Sequence, residues 1–249
     1  PFRVFTPFWK SCLKQLPRIG SCLPIPSPKE RFPDSLPSLS VLQLGLLPKI
    51  FWDSGLRSHW IPGEKGALET LNQALPSLIP QYRDTRDRPD LRGVSELSPH
   101  LHFGEISPRF LFQQTHSISE EFTRQIFWRE FAHHLLYHYP KTPKEPLREE
   151  FRLFPWQYHL EHLKAWQEGR TGYPFVDAAM RQLWQLGWMH NRCRMVVASF
   201  LVKDLRIHWL EGARWFWDTL VDADLANNTF GWQWTAGCGA DAAPYFRIF

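Results

Sequence analysis

The sequence predicts an all-α protein, a single domain built from many helices. No stretch alternates polar and apolar residues with a period of two, and no β-hairpin turn signal is present. From about residue 64 onward, apolar residues instead recur every three or four positions, which is the spacing of one helix face. Hydrophobic residues make up 43% of the 249 residues, a normal share for a domain that buries a core.

The N-terminal part of the chain differs from the rest in composition. Nine of the 21 prolines lie in residues 1–48, so residues 11–63 are predicted to form an extended connector that runs over a surface. This connector also contains large apolar side chains, which we expect to pack against another surface: Leu42, Leu44, Leu46, Leu47, Ile50, Phe51 and Trp52.

The first two predicted helices follow the connector. One begins near residue 64, with Leu68, Leu71, Ala74 and Leu75 on its apolar face. The second begins at Ser107-Pro108, because serine is a good N-cap and proline is favoured at the first helical position.

Three further helices are predicted by spacing and by proline positions. The first covers residues 119–138 and ends before a group of prolines. The second opens at Tyr173-Pro174, and the third runs from Met189 to Leu201. The apolar faces of the first two consist of Phe122, Ile126, Phe127, Phe131, Leu135 and Leu136, and of Val176, Ala179, Met180 and Leu183.

Charge and cysteine usage limit the functional classes. The net charge of +4 and the pI of about 9.0 weakly favour binding to polyanions. The four cysteines form no C-x-x-C pair, which argues against a zinc ribbon or a disulfide framework and predicts a reducing compartment, the cytoplasm. No apolar run reaches the length of a membrane span, so no membrane partner is expected. Both termini resemble the interior of a longer protein, and we expect a fragment.

The most informative run is residues 222–234, which contains two carboxylates, two amides and two indoles. Ten tryptophans lie in the last 122 residues, and a buried indole needs a partner for its N–H, so this part of the chain is expected to handle a π-system or an electron. Asp222 and Asp224 lack the spacing of a calcium loop. A buried pair between Asp222 and Arg194 and a helix-capping role are both compatible with the sequence.

A second informative run is residues 188–195. On a helix, Asn191, Arg194 and Met195 share one face, where an amide, a guanidinium and a thioether could line a pocket for a planar ligand. The alternative is a solvated face with one buried methionine.

Four other patterns are weaker. The glycine and serines of residues 93–99 could present donors to a phosphate or form an N-cap. Residues 237–242 do not complete a dinucleotide-binding glycine motif. His133, His134 and His138 do not form a zinc motif, and no metal is predicted. The arginines of residues 83–92 form either a solvated loop or a rim that faces phosphates.

Taken in order, these segments resemble the flavin-binding half of the DNA photolyase/cryptochrome family, and within it the cyclobutane pyrimidine dimer photolyases. The similar segments are residues 93–99, 128–131, 172–180, 188–192, 222–234 and 241–249. Residues 4–9 are similar to the end of the family's N-terminal α/β domain. The resemblance therefore divides the chain into a remnant of that domain (1–10), the connector (11–63) and a truncated helical FAD-binding domain (64–249).

The resemblance implies the residues that would hold FAD. Those at its phosphates and ribityl chain are Tyr82, Ser95, Leu97 and Ser98, and Arg129 is at another flavin-contacting position. Those around the isoalloxazine are Asn191, Arg194, Asp222 and Asp224, with a salt bridge expected between Arg194 and Asp222. Asn228 matches the residue that faces flavin N5.

The resemblance also implies an electron-transfer chain and a DNA surface. Trp232, Trp209 and Trp156 match the three tryptophans that pass electrons from the surface to the flavin. Lesion- or DNA-contacting positions are matched by Arg86, Gln125, Trp128, Met195, Trp234 and Arg247. Gln125 stands where many dimer photolyases have a glutamate, so it forgoes a charge-assisted hydrogen bond to the lesion.

The function implied is light-driven repair, in which electron transfer from excited reduced FAD splits a pyrimidine dimer flipped out of UV-damaged DNA. The enzyme would be a deoxyribodipyrimidine photo-lyase that acts as a monomer. A second, antenna chromophore of the folate or deazaflavin type is expected in the N-terminal domain. Asn228 favours repair over a cryptochrome-type photoreceptor, which binds FAD without repair. A helical DNA-binding module without a cofactor is a third hypothesis.

Overall fold

A computed structural model of the chain describes residues 1–16, 20–24, 27 and 36–242. Over these residues the regular elements are helices without any strand, and an isolated parallel bridge joins Gln157 to Ile207. The predicted all-α class is therefore confirmed. The α-helices are α1 (Phe5–Leu13), α2 (Ser54–His59), α3 (Glu64–Ala74), α4 (Tyr82–Thr85), α5 (Ser98–His102), α6 (Pro108–Thr115), α7 (Glu120–His138), α8 (Leu160–Gln167), α9 (Pro174–Leu186), α10 (Asn191–Ser199), α11 (Trp209–Thr219) and α12 (Leu225–Ala236). Short 3-10 helices cover Val41–Leu44 and Glu149–Leu153, and a π-helical turn covers Phe200–Asp204.

Side-chain caps explain where several helices begin. The Ser107 hydroxyl accepts the Phe110 N–H at 3.0 Å before Pro108 opens α6, as the sequence predicted. Ser119 accepts the Phe122 N–H at 3.2 Å and starts the long helix α7. The predicted boundaries near residues 64, 119 and 174 are confirmed because each depends on local backbone chemistry.

The predicted helix from Met189 to Leu201 is shorter in the structure. His190 is extended, and its Nδ1 accepts the Arg192 N–H at 3.1 Å, so it caps α10 and the helix begins at Asn191. At the other end, the helix passes into the π-helical turn, in which Leu205 N–H donates to the Phe200 carbonyl at 3.0 Å. Periodicity alone did not predict either boundary.

Two apolar clusters form the core. One is built by α8 to α12 and contains the buried indoles of Trp166, Trp209 and Trp232. The other is built by α1, α3, α6 and α7 and contains Phe5 and Phe131, both 1% exposed or less. Helix α12 contacts α7, α10 and α11 and so lies where the two clusters meet.

The first 63 residues contribute more to this body than a connector would. Helix α1 packs against α7 and buries Phe5, Phe8 and Trp9, a contact that was not predicted. Within the connector, α2 packs against α9, and the Trp60 indole N–H donates to the Leu186 carbonyl at 2.7 Å. The apolar run of residues 42–52 lies on the surface, with Trp52 66% exposed. The division of these residues into a remnant and a connector stays a prediction.

Across the described part of the chain, no helix combines the length and the apolar character needed to cross a bilayer.

Candidate functional site

Two adjoining cavities lie where α7, α10 and α12 meet. The first, here called the indole cavity, has a volume of about 340 Å³ and is bordered by Trp128, Trp232 and Trp234. The second, here called the loop cavity, has a volume of about 320 Å³ and is bordered by residues 94–98. Both volumes are typical of small-molecule sites. The residues that line both cavities, and so form a shared wall, are Arg86, Gln125, Asn191, Arg194, Asp222 and Asn227.

Most of the residues expected in the site line these cavities. Besides the shared wall, the indole cavity is lined by Trp128, Met195, Asn228, Trp232 and Trp234. The loop cavity is lined by Tyr82, Ser95, Leu97, Ser98 and Arg129. Three expected residues, Asp224, Trp209 and Trp156, line neither cavity. Arg247 lies outside the described residues.

The structure contains the predicted salt bridge between Arg194 and Asp222. The two terminal guanidinium nitrogens donate to the two carboxylate oxygens at 3.1 and 2.8 Å, a bidentate arrangement. The Arg194 Nε donates to the Met189 carbonyl at 2.8 Å, which fixes the plane of the guanidinium. The Asp222 side chain is 3% exposed and that of Arg194 is 25% exposed. A buried carboxylate therefore depends on one arginine at the shared wall.

Two asparagines of α12 face the cavities next to this salt bridge. Asn228 donates from Nδ2 to the Ala213 carbonyl at 2.9 Å, which orients its amide and leaves Oδ1 as an acceptor in the indole cavity. Asn227 donates from Nδ2 to Asp224 Oδ1 at 2.8 Å. The two amides are neutral, so they add directional hydrogen bonding to the wall without adding charge.

Asp224 does not line either cavity but contacts Asn227, which lines both. Its carboxylate caps α12 by accepting the Asn227 N–H at 2.8 Å, and it lies 3.4 Å from His133 Nε2 on α7. The expectation that Asp224 lies around the ligand is therefore refined: its contacts position Asn227, which lines both cavities. Burial alone would raise the pKa of Asp224, but the hydrogen bonds from His133 and the Asn227 N–H outweigh it and hold that pKa at about 2.

The pair of Asp224 and His133 makes the stability of the fold depend on pH in two ranges, one where Asp224 titrates and one where His133 titrates. A carboxyl whose pKa is lowered stabilises the fold above its usual pKa and loses that contribution as the pH falls from about 4 to about 2. The hydrogen bond to Asp224 raises the pKa of His133, so the imidazolium stabilises the fold below its usual pKa and loses this contribution as the pH rises through the raised value. The pair is strongest at mildly acid pH.

We expect Asp224→Asn to lower the free energy of unfolding at mildly acid pH by about 2 kcal/mol and to flatten its dependence on pH between about 4 and 2. Asparagine retains the helix cap, so the change isolates the charge. Urea unfolding at several pH values measures both effects. If the free energy of unfolding of the variant falls with decreasing acid pH as steeply as that of the natural protein, Asp224 is not the titrating group.

Trp232 is closely packed within the site. Its ring lies 5.0 Å from Phe216 and 6.2 Å from Trp166, centroid to centroid, and is 2% exposed. Its Nε1 is buried and has no hydrogen-bond partner among the described residues. Because a buried indole N–H normally has a partner, this donor is unusual, and Trp232 lines the indole cavity.

Gly212 on α11 makes room for the Trp232 ring. A Cβ at Gly212 would lie 2.0 Å from the Trp232 ring carbon Cη2, well inside van der Waals contact. We therefore expect Gly212→Ala to displace the indole and to lower the free energy of unfolding by about 1–3 kcal/mol. Thermal unfolding measures this change. Gly231→Ala is the matched control, since a Cβ there meets no atom within 4 Å.

The opposite part of the indole cavity holds an aromatic stack and a basic rim. Phe5 of α1 stacks on Trp128 with a centroid distance of 3.6 Å and an angle of 9°, which fixes the plane of that indole. Arg192 donates to Asp87 at 2.7 Å, and the neighbouring Arg86 lies over the Tyr82 ring at 5.4 Å. The arginine-rich loop of residues 83–92 thus contributes to the cavity wall as well as to the surface.

The loop cavity combines hydroxyl groups with a cation. Ser95 and Ser98 lie in its wall together with the guanidinium of Arg129. Between the serines, Glu96 adopts a positive φ of 55°, and its carboxylate lies 3.2 Å from His59 Nε2. This arrangement gives the only acidic side chain of residues 93–99 a hydrogen-bonding neighbour.

Several lining residues were not expected from the sequence. Asn227 and Arg192 lie in segments that were singled out, and their positions next to Asn228 and Asn191 could have indicated them. Phe216, Leu220 and Phe230 carry no chemical signal, because apolar residues that line a cavity look the same in sequence as residues of the core. Among the described residues, no group of three His, Cys, Asp or Glu side chains is arranged to hold a metal ion.

The donor set of the two cavities fits FAD. The indole cavity is bordered by a buried indole N–H that has no partner in the described part of the chain, by the amides of Asn227 and Asn228, and by a bidentate arginine. These groups suit a planar ring with several hydrogen-bonding atoms. Hydroxyl groups and a guanidinium in the adjoining loop cavity suit phosphates. Two joined cavities match a ligand that has two aromatic parts linked through a pyrophosphate.

Comparison with known proteins agrees with this geometry. Residues 122–249 match the family described as the FAD binding domain of DNA photolyase. A "Deoxyribodipyrimidine photo-lyase" from Agrobacterium fabrum is 45% identical over 263 residues, which cover all of this chain and 54% of that protein. "Cryptochrome-2" from Arabidopsis thaliana is 38% identical over 271 residues, which cover all of this chain and 44% of that protein.

Among solved structures, a bacterial class III photolyase from Agrobacterium tumefaciens superimposes with a TM-score of 0.86 at 43% identity, covering all of this chain and 53% of that one. The chain spans about half the length of the curated relatives it matches. The helical fold, the paired cavities and these similarities together show that the chain belongs to the DNA photolyase family, as part of its FAD-binding domain.

Proposed function

We propose that this chain holds FAD for the light-driven repair of cyclobutane pyrimidine dimers in UV-damaged DNA, the reaction of a deoxyribodipyrimidine photo-lyase. The observation that supports the proposal most is the shared wall, where the Arg194–Asp222 salt bridge separates a cavity suited to phosphates from one lined by tryptophans. An aromatic cavity beside a cofactor site is what a flipped base requires.

The residues of the wall bind and orient the cofactor. Arg194 and Asp222 present a fixed pair of charges, and Asn228 presents an acceptor oriented by its bond to Ala213. Asp224 is a positioning residue in this proposal, because it acts through Asn227. Tyr82, Ser95, Leu97, Ser98 and Arg129 hold the part of the ligand in the loop cavity. When bound, FAD supplies the light absorption and the one-electron chemistry that the side chains lack.

The rest of the indole cavity receives the lesion. Trp128 and Trp234 offer flat surfaces for unstacked pyrimidines, worth roughly 1–3 kcal/mol per base in comparable sites. Met195 adds an adaptable apolar contact. Arg86 and Arg247 neutralise backbone phosphates, which makes binding dependent on salt. Gln125 donates from Nε2 to the Glu121 carbonyl at 2.9 Å, so its Oε1 and its second N–H are available to a lesion.

Three tryptophans form the proposed electron path to the flavin. Trp232 is at the cavity, Trp209 is 1% exposed, and Trp156 is half-buried. This order from the cavity towards the surface suits a stepwise transfer of one electron inward. In repair by a pre-reduced cofactor, the path is not needed.

A repair assay tests the proposed function. Full-length protein is reconstituted with FAD, reduced, mixed with DNA that contains cyclobutane dimers, and exposed to near-UV light. We expect the dimers to be converted to monomers in the light and to persist in the dark. A flavin-loaded protein that leaves the dimers intact would instead be a cryptochrome-type photoreceptor. Failure to take up FAD, together with DNA binding, would support a DNA-binding module without a cofactor.

The same proposal implies an oligomeric state and a second chromophore. We expect the protein to act as a monomer, since one chain supplies the residues that line both cavities. A second, light-harvesting chromophore of the folate or deazaflavin type would bind outside this chain. Size-exclusion chromatography and an absorption spectrum of the full-length protein check these two statements.

A further inference from the structure

His208 contacts two of the tryptophans in the proposed electron path. Its imidazole lies 5.0 Å from the Trp156 ring and 5.6 Å from the Trp209 ring, centroid to centroid. Both distances are in the range of direct aromatic contact. His208 therefore links the half-buried indole to the fully buried one, at the step where the path passes from the surface into the core.

A hydrogen bond determines which nitrogen of His208 carries the proton. His208 is the N-cap of α11, and its Nδ1 accepts the backbone N–H of Leu210 at 3.1 Å. An accepting Nδ1 has no hydrogen, so the neutral ring carries its proton on Nε2. A second proton would have to enter at Nδ1, where it would replace the cap. Protonation thus costs the helix its N-terminal hydrogen bond.

The surroundings also oppose a charge on His208. Burial lowers the pKa of this imidazole, while Glu211 raises it and Arg214 lowers it. Glu211 is itself paired with Arg214 at 2.8 Å, which weakens its attraction for a proton on His208. The segment that brings Trp156 contains no charged residue from 154 to 158, and the π-helical turn that packs on α11 contributes Lys203 and Asp204. The ring is neutral at neutral pH.

We propose that His208 controls the outer step of the electron path: the neutral imidazole permits positive charge to move from Trp209 to Trp156, and the imidazolium opposes it. The inference rests on the proposed function, because it assumes that these tryptophans carry electrons. In this step one electron passes from Trp156 to the oxidised Trp209, which restores Trp209 and leaves Trp156 as a radical cation. Trp156 then loses its Nε1 proton to water, and a thiol in solution returns a hydrogen atom to it and becomes a thiyl radical.

An imidazolium at about 5 Å from both indoles raises the energy of either radical cation by direct repulsion. It also frees the start of α11, the helix that carries Trp209. The repulsion is greater at Trp156, the nearer indole, so it opposes the outward movement of positive charge, and both effects grow as the pH falls through the lowered pKa of His208. His208 is a positioning residue here, since it touches the indoles and not the cofactor.

The test compares light-driven reduction of oxidised FAD in the full-length protein, with a thiol as donor, at about pH 8 and about pH 5.5. We expect the natural protein to lose rate at the lower pH, by less than about tenfold, because the lowered pKa of His208 leaves part of the imidazole neutral there. His208→Asn should remove this loss, because asparagine keeps the cap and cannot be charged. His162→Asn, at an exposed histidine whose ring contacts only His159 among the aromatic pairs of the described residues, is the control and should keep the loss.

A second readout does not involve the flavin. In cofactor-free protein, an NMR titration should show an imidazole with a pKa below the ordinary histidine value that is absent from His208→Asn, while the lowered pKa values of His134 and His190 remain. A His208 signal with an ordinary or raised pKa would overturn the proposal. So would a loss of rate at low pH that persists in His208→Asn. If instead Trp232→Phe leaves photoreduction unchanged, the electron path itself is wrong.

Discussion

Arg194→Ala will abolish stable retention of FAD and will lower the free energy of unfolding by about 3–5 kcal/mol, the usual cost of a buried charge that has lost its partner. The Asp222 side chain is 3% exposed, and its carboxylate accepts hydrogen bonds from both terminal nitrogens of Arg194. Without them the carboxylate stays buried and loses the hydrogen bonds that its oxygens accept among the described residues. The flavin-to-protein absorbance ratio after reconstitution and urea unfolding measure the two effects.

A surface pair provides the control for this experiment. Arg214 pairs with Glu211 at 2.8 Å, but its side chain is 66% exposed, so Arg214→Ala should change stability by only about 0–1 kcal/mol. The double variant Arg194→Ala/Asp222→Asn removes the buried charge together with its partner and should recover part of the lost stability. Normal FAD content in Arg194→Ala would contradict the role assigned to the shared wall.

Trp232→Phe will slow the photoreduction of oxidised FAD by more than about tenfold, or roughly 1.4 kcal/mol in activation free energy. Phenylalanine fills much of the same space against Phe216 and Gly212 but is far harder to oxidise. Repair by chemically pre-reduced protein should proceed at the natural rate, because that reaction does not use the electron path. Flash photolysis and the dimer repair assay separate the two processes.

The exposed Trp184 supplies the matched control. It stacks on Trp215 at 6.0 Å and is 66% exposed, and it lines neither cavity. Trp184→Phe removes an indole of the same size without touching the proposed path, so photoreduction should not change. Equal rates for Trp232→Phe and the natural protein would remove Trp232 from the path and leave the cavity as a binding site only.

Local elements of the fold were accessible from sequence. Ser107 before Pro108 predicted a helix start that the structure confirms, because a cap involves atoms only two or three residues apart. The apolar spacing of residues 119–138 likewise predicted α7, which Ser119 caps. The same holds for Asn191, Arg194 and Met195, which the helical period placed on one face and which all line the indole cavity. By contrast, the π-helical turn after Ser199 has no sequence pattern that distinguishes it from a continuing helix.

The site as a whole needed more than local pattern. The resemblance to photolyases indicated many of the residues that line the two cavities, but it did not indicate that Asp224 caps α12 and faces His133. The contact between Phe5 and Trp128 joins the first helix to the seventh, and no periodicity indicates such a pair. Contacts of this kind depend on how helices pack, which is a property of the whole chain.

The amino-acid order by itself determined the helical class, several helix starts and the face that Asn191, Arg194 and Met195 share, since each follows from backbone geometry within a few residues. The pair of Arg194 and Asp222 was expected, but only the tertiary structure decided its bidentate geometry and its burial. It alone also decided that Gly212 admits the ring of Trp232 and that His208 touches two indoles. The physical reason is burial. A lone charge is costly, and an indole N–H can lack a partner, only where water is excluded. Water is excluded only once distant helices have packed together.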